Sequence, residues 1–176
     1  MRKIKIVGIF IIFGLSFISH FIYELVPNTL FSILFPVNES IWEHMKLLVT
    51  PVALFSLFEY IFYRRKNIEF NNFILSYSIS IILGILIYLI VYLPIDYIFG
   101  HSAIVAIGLL FIVFVIMQII SYYIMNYKNI KYSNIMGVGI IILLYIVFGY
   151  LTYKPIENDL FYDTQKKIYG MPKERI

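Results

Sequence analysis

The chain has 176 residues, a formal net charge of +4 at pH 7 and no cysteine. Its residues are 61% hydrophobic and 14% charged, and its mean hydropathy is +0.88, whereas soluble domains average about 25% charged residues. This composition excludes an ordinary soluble domain and indicates a multi-pass protein of the cell membrane, whose first partner is the lipid bilayer. The absence of cysteine excludes disulfides and thiolate metal sites.

Five apolar runs are each long enough to cross a hydrocarbon layer of ~30 Å, which takes roughly 20 helical residues. Runs of this length without alternation favour helices, because lipid offers no partner to an open sheet edge. The first run is too long for a signal peptide and lacks a small-residue cleavage site, so we predict a mature helix there. The sequence therefore predicts an all-α bundle of five transmembrane helices, at 4–25, 41–63, 73–93, 101–123 and 133–153.

Lysine and arginine are distributed unequally between the loops, which predicts the orientation of the chain. Basic residues precede the first span, follow the second and separate the fourth from the fifth, whereas the loops 26–40 and 94–100 have none. We therefore predict the N-terminus inside and, after an odd number of spans, the C-terminus outside. The positive net charge is thus mostly a topology signal, and we predict no nucleic-acid partner.

The first span carries polar residues at a helical spacing. Ser16, His20 and Glu24 recur every four residues, so they share one helix face. His20 lies in the predicted outer third, where an ionisable group usually faces the bundle interior or a water-filled cavity. Two interpretations stay open: a polar pair that ends the helix at the membrane surface, or part of a site.

The linker 26–37 is apolar and is bounded by Pro27 and Pro36. It is too short to span the membrane, and segments of ~10–14 apolar residues are typically interfacial or re-entrant. We predict that it lies on the outer surface as a cap over the mouth of the bundle.

The stretch 36–46, PVNESIWEHMK, places charges at the start of a span. Ser40 and Glu43 match the S-x-x-E capping box, in which the hydroxyl accepts from the Glu43 N–H and the carboxylate accepts from the Ser40 N–H. Glu39 and Glu43 are one turn apart, so their like charges require a cation between them. Lys46 can reach Glu43, and a bound cation would serve equally well.

Other polar and small residues of the spans receive structural interpretations. Glu59 and the basic run 64–66 are predicted as interfacial charge. Gln118 is predicted to hydrogen-bond between helices, and Gly137 and Gly139 favour close helix packing.

The segment 154–176 differs sharply in composition from the spans. It is polar enough to be disordered, yet its apolar and aromatic residues favour a folded segment. We predict a transmembrane domain, 1–153, and an extracytoplasmic tail, 154–176, that folds over the outer mouth and brings Asp163 near the histidines.

The three histidines, His20, His44 and His101, fall at the predicted outer ends of three different spans. If these helix ends converge, they offer nitrogen ligands beside carboxylates, a set that suits zinc, iron or manganese. Three protein ligands and an open position are typical of a catalytic zinc. We therefore predict a site for zinc or another divalent metal on these histidines, although neither HExxH nor HxxxH occurs.

Three carboxylates accompany the predicted metal site. Glu43 or Glu39 is predicted as a general base, with Glu39 favoured if the helix cap holds Glu43. Asp163 is predicted to orient a ligand.

The residues 36–44, the outer histidine of the first span and the ending Asp163…Tyr169-Gly170 resemble an uncharacterised family of small bacterial membrane proteins with a VNES-x-WEH motif. The resemblance covers most of the chain and implies a shared fold without a known activity. Ser16 and His20 also resemble the S-x-x-x-H pattern of alkaline-ceramidase-like membrane hydrolases, which bind zinc through three histidines, an aspartate and a serine. Those proteins have more spans and an HxxxH pattern.

These features lead to three functional hypotheses. The first is a metal-dependent membrane hydrolase acting on a lipid or lipid-linked substrate from the outer side. The second is a protein that binds or transports a cation or small solute, which should carry polar groups deeper in the membrane and an inverted repeat. The third is a polar plug that closes the bundle and has a structural role alone.

Overall fold

The computed structural model describes residues 1–172. This part of the chain forms seven α-helices, a short 3₁₀-helix and two strands, which pair Tyr162 with Tyr169 and Asp163 with Ile168 in an antiparallel hairpin. The α-helices are α1 (Arg2–Leu25), α2 (Thr29–Leu34), α3 (Ile41–His44), α4 (Lys46–Arg65), α5 (Phe73–Phe99), α6 (Ala103–Met125) and α7 (Ser133–Tyr153). The 3₁₀-helix is Asp159–Phe161, and the strands are β1 (Tyr162–Asp163) and β2 (Ile168–Tyr169).

Five helices of the described chain are long and apolar enough to cross a membrane, which confirms the predicted all-α bundle. They are α1, α5, α6, α7 and the continuous pair α3–α4, which together cover Ile41–Arg65. The protein is therefore a multi-pass membrane protein. We refer to the end of the bundle formed by residues 26–40, 100–102 and 154–172 as the site end.

The third span differs most from its predicted bounds. The third span was expected to end before Pro94, but α5 continues through this proline to Phe99. A proline near a helix end costs few backbone hydrogen bonds, and Gly100, with φ +78°, ends the helix instead. His101 consequently precedes α6 rather than opening it.

Four spans enclose the core of the bundle. α1 packs against α4 and α6, and α5 packs against α4, α6 and α7. The fully buried side chains of Leu48, Ile81, Val113 and Phe114 fill the interior between them. α7 lies outside this group of four, against α5 and α2.

The linker between the first two spans folds back against neighbouring helices, and we call it the re-entrant linker. Asn28 caps α2 by accepting from the Phe31 N–H at 2.9 Å, and α2 packs against α7. The Leu34 carbonyl accepts from Thr50, which lies ~13 Å along the second span at 1.5 Å per residue. The Leu34 carbonyl of the linker thus finds a hydrogen-bond partner on a neighbouring helix. Non-helical backbone within a membrane protein requires such partners, because lipid offers none.

Glu59 was predicted as interfacial charge, and this prediction was wrong. Its carboxylate is fully buried and accepts from Lys5 Nζ at 2.9 Å, Tyr77 OH at 2.5 Å and Tyr63 OH at 2.7 Å. A carboxylate with three donors tolerates burial that an unpaired one would not. This network locks α1, α4 and α5 together at the end of the bundle opposite the site.

Residues 154–172 turn back over the site end. The Phe161 ring lies 5.0 Å from the Trp42 ring in α3, and the Asn38 amide donates to the Gly170 carbonyl at 2.7 Å. The predicted tail extended to residue 176, and its last four residues lie outside the described part of the chain.

Candidate metal centre

The loop before α3 is shaped by its own side chains. The Asn38 side chain accepts from the Ser40 N–H at 2.8 Å, and the Ser40 hydroxyl accepts from the Glu43 N–H at 3.3 Å. The first half of the predicted capping box is therefore present. The second half is not, because Asn38 occupies the Ser40 N–H and the Glu43 carboxylate accepts from the Val37 N–H at 3.0 Å instead.

This loop and two helices bring three potential metal ligands together. His20 of α1, Glu39 of the loop and His44 of α3 each offer one ligand atom, and the three atoms lie within 4.8 Å of one another. The Nε2 atoms of His20 and His44 are 3.1 Å apart. Glu39 Oε2 is 3.5 Å from the first Nε2 and 3.4 Å from the second. We refer to these three atoms as the ligand triangle.

The dimensions of the ligand triangle fit a tetrahedral metal. Ligands at ~2.0–2.1 Å from zinc stand about 3.3 Å apart in tetrahedral geometry. The two nitrogen–oxygen distances exceed the ~2.7–3.2 Å of an ordinary N–H···O hydrogen bond. A divalent ion seated on the triangle would keep its fourth position open.

The surroundings set the state of two ligands. His44 Nδ1 lies 2.9 Å from the Ser40 carbonyl, and donation to that oxygen leaves Nε2 as the unprotonated, metal-facing atom. The imidazoles of His20 and, next, His44 hold the pKa of the Glu39 carboxyl well below its usual range. The third ligand, His20, has a buried Nδ1 without a hydrogen-bond partner among the described residues.

Glu43 lies one turn from Glu39 but belongs to a different network. Its carboxylate accepts from Lys46 Nζ at 2.6 Å and from the Thr152 hydroxyl at 2.7 Å, and both side chains of the ion pair are almost fully buried. Lys46 also donates to the Ser32 carbonyl at 2.7 Å. Glu43 therefore braces the re-entrant linker and α7 against the start of the second span.

Asp163 reaches the site through the backbone. Its Oδ2 accepts from the Glu39 N–H at 2.9 Å, and its Oδ1 accepts from the N–H groups of Gln165 and Lys166 at 2.8 and 2.9 Å. The side chain is fully buried. Asp163 thus connects the C-terminal hairpin directly to Glu39, whose carboxylate belongs to the ligand triangle.

His101 is separate from the ligand triangle. Its Nδ1 lies 2.9 Å from the Tyr92 hydroxyl and 3.5 Å from Asp96 Oδ1. Among the described residues, the group with mutually close ligand atoms contains the other two histidines and Glu39. His101 nevertheless lines the same cavity as that group.

This cavity has a volume of about 300 Å³ and lies among α1, the α3–α4 pair, α5 and α6. His20, Glu39 and His44 stand at its polar end, and its remaining walls are mainly apolar. Glu39 also lines two further cavities, of about 180 and 400 Å³, under the C-terminal hairpin. The carboxylate therefore stands where the apolar cavity meets the polar space below the tail.

Sequence reasoning missed part of the cavity wall. Tyr88 and Tyr92 line it, and Asp96 lies one turn farther along α5 beside His101. The spacing of four residues among these three was a usable signal, because it places them on one helix face. Gln165 of the tail also lines the cavity, and no local pattern marks it.

The comparisons with known proteins agree with this description of a membrane protein without an established activity. No curated protein and no solved structure matches the chain significantly. The family described as a "Family of unknown function (DUF6512)" matches residues 1–171, which is nearly the whole chain. The protein therefore belongs to this family.

Proposed function

We propose that this protein is a metal-dependent membrane hydrolase acting on a lipid or lipid-linked substrate. The observation that carries the proposal is the ligand triangle, whose three edges match the ligand spacing of a tetrahedral zinc. A divalent metal with an open position would supply the Lewis acid that activates water for hydrolysis. The ligands stand at the polar end of an apolar cavity, as a site for lipid chemistry requires.

The roles of the surrounding residues follow from their contacts. Glu39 serves as the carboxylate ligand and Glu43 as a structural brace, while Asp163 holds the Glu39 backbone. His101, whose Nδ1 lies 2.9 Å from the Tyr92 hydroxyl, lines the same cavity without joining the ligand triangle. Ser16 also lines the cavity, one turn from His20.

Metal analysis of purified protein tests this proposal. We expect about one zinc or other divalent ion per wild-type chain, and loss of most of it in His20→Ala, His44→Ala and Glu39→Gln, because each removes a ligand. His101→Ala is the matched control and should keep its metal. Size-exclusion profiles identify any variant that fails to fold.

Activity supplies the second half of the test. The metal-loaded protein should hydrolyse fluorogenic lipid esters or amides in mixed micelles, and removal of the ion by a chelator should abolish turnover. Wild-type protein that holds no divalent ion after incubation with zinc would contradict the proposal. A bound ion without hydrolysis of any probe would instead favour a cation-binding protein.

A further inference from the structure

The apolar cavity has an edge on the surface of the bundle between α1 and α6. Phe17 and Phe21 of α1 and Ala103 and Ile107 of α6 line the cavity and are also exposed. Both helices are candidate membrane spans. We refer to this edge as the α1–α6 cleft; it opens towards the hydrocarbon of the bilayer rather than towards water.

On the side away from the site end, aromatic contacts between the same two helices close the cleft. The Phe111 ring of α6 lies 5.1 Å from Phe13 and 5.9 Å from Phe10 of α1. Towards the site end, His20 and Phe17 line open space instead. α1 and α6 thus meet near their middles and leave a gap between that contact and the ligand triangle.

The interior wall of the gap is also apolar. Leu47 of α4 is 5% exposed and Leu110 of α6 is 9% exposed, and both line the cavity. A water molecule needs about two to four polar partners to occupy a cavity stably. Apart from Ser16 and Tyr88, which lie one turn deeper, the polar side chains that line this cavity stand at its site end. Hydrocarbon is therefore the natural occupant of the rest.

We infer that the hydrocarbon chain of a membrane lipid enters sideways through the α1–α6 cleft and lies in this cavity. The cavity extends ~10 Å along α6, from Ala103 to Leu110, at 1.5 Å per residue. That is about one third of a ~30 Å hydrocarbon layer. The site therefore takes the part of a chain next to the headgroup, in the leaflet at the site end.

This placement also defines the bond presented to the ligand triangle. A chain in the cavity puts the linkage between chain and headgroup beside His20, Glu39 and His44, with the headgroup under the C-terminal hairpin. The substrate class is thus an acyl lipid cleaved at the ester or amide that joins its chain. This assignment of the bond rests on the proposed function, whereas the chain site does not.

Photolabelling with phosphatidylcholine that carries a diazirine in its acyl chain tests the chain site. In vesicles containing this lipid and the purified protein, we expect peptide mapping to find labels on Leu47 and Leu110. Val113 and Ile81, which are fully buried and do not line the cavity, should stay unlabelled. Ile142, an exposed residue of α7, is the positive control for contact with lipid.

A filling variant provides the matched comparison. Ala106→Trp places an indole in the cavity and should reduce labelling of Leu47 at least tenfold. Ile104→Trp, on a strongly exposed position of the same helix, should leave it unchanged. Both variants should bind metal as the wild type does. If Ala106→Trp does not fold, Ala106→Phe is used in its place.

The two proposals fail in different measurements. Labelling of Leu47 and Leu110 no stronger than that of Val113 and Ile81 in the wild type would overturn the chain site, whatever the metal content. Clear cavity labelling of a protein that binds no divalent ion would sustain the chain site and overturn the hydrolase.

Discussion

Glu39 is the residue on which the site depends most. It lines three cavities at the site end, carries one corner of the ligand triangle and donates its backbone N–H to Asp163. Its lowered pKa keeps the carboxylate ionised well below neutral pH. A divalent ion bound there would therefore have an ionised oxygen ligand throughout the pH range in which imidazole titrates.

The pH dependence of metal binding follows from these ligands. Metal requires both imidazoles neutral and the carboxylate ionised. Imidazole normally titrates near pH ~6.5. Because the pKa of Glu39 is lowered, the carboxylate is protonated only in more acidic solution. Bound zinc should thus be retained above neutrality and lost as the pH falls below about 6, with up to about two protons taken up per ion.

Zinc titrations of the purified protein at a series of pH values measure this dependence. The His101→Ala variant serves as the control, since its remaining two histidines should give the same midpoint. An affinity that stays constant from pH 7.5 to 5 would argue against two histidine ligands.

Glu43 illustrates how a neighbouring carboxylate acquires a different role. Its buried ion pair with Lys46 is completed by Thr152. Glu43→Gln leaves the ammonium of Lys46 without its counter-charge, and breaking a buried pair from one side typically costs ~3–5 kcal/mol. We expect this loss of stability in unfolding by SDS, followed through the fluorescence of Trp42.

The double variant Glu43→Gln/Lys46→Met removes both charges and should recover much of the loss. The folded fraction of either variant should bind metal like the wild type, because Glu43 is outside the ligand triangle. A folded Glu43→Gln protein that is stable but metal-free would assign Glu43 to the site instead.

At the scale of elements, the contact between α5 and α7 depends on one glycine. A Cβ atom added at Gly137 would stand 2.5 Å from the Leu75 nitrogen and 2.6 Å from the Ile74 carbonyl carbon. Both are backbone atoms, which have no alternative rotamer. Gly139, two residues on, has no neighbouring atom within 4 Å of such a Cβ.

Gly137→Ala should therefore destabilise the protein by ~1–3 kcal/mol, the usual cost of overpacking. Gly139→Ala adds the same methyl group to the same helix and should be neutral or stabilising by up to ~1 kcal/mol, because alanine is the better helix residue. Thermal denaturation in detergent compares the two variants. Equal denaturation temperatures would mean that α5 and α7 are less tightly packed than described.

Two segments outside the spans build the site from one side. The re-entrant linker contributes carbonyl groups to Lys46, and the C-terminal hairpin contributes Asp163. Both approach the start of the second span, so Glu39 and Glu43 are each positioned by a different segment.

At the scale of the whole molecule, the orientation in the membrane remains a prediction. Basic residues lie at the start of α1, at the end of α4 and in the loop 126–132, all at the end of the bundle opposite the site end. Their charge favours an inside location for that opposite end. The site end would then face outwards, and substrate would come from the outer leaflet.

Single-cysteine labelling tests this orientation, since the native chain has no cysteine. A membrane-impermeant maleimide added to intact cells should label Glu157→Cys, in the exposed tail, and not Asn129→Cys, in the exposed loop before α7. After permeabilisation, both should react. The opposite pattern would place the ligand triangle on the inner side and direct the search for a substrate to the inner leaflet.

The sequence by itself determined the membrane fold. Long apolar runs admit only helices in lipid, so the number of spans and most of their bounds follow from composition and length. The sequence also selected all three histidines as candidate ligands, with Glu43, Glu39 and Asp163 beside them, because ionisable residues near the membrane need partners. The group in the structure retains two of these histidines and Glu39.

Only the tertiary structure decided which of the candidates meet. Glu39 and Glu43 look equivalent in sequence, and their separation depends on Thr152 and Asp163, which are more than a hundred positions away. His101 is outside the group of the other two histidines and contacts Tyr92 of α5 instead. Contacts between residues so distant along the chain arise from the packing of whole helices, and no local pattern encodes them.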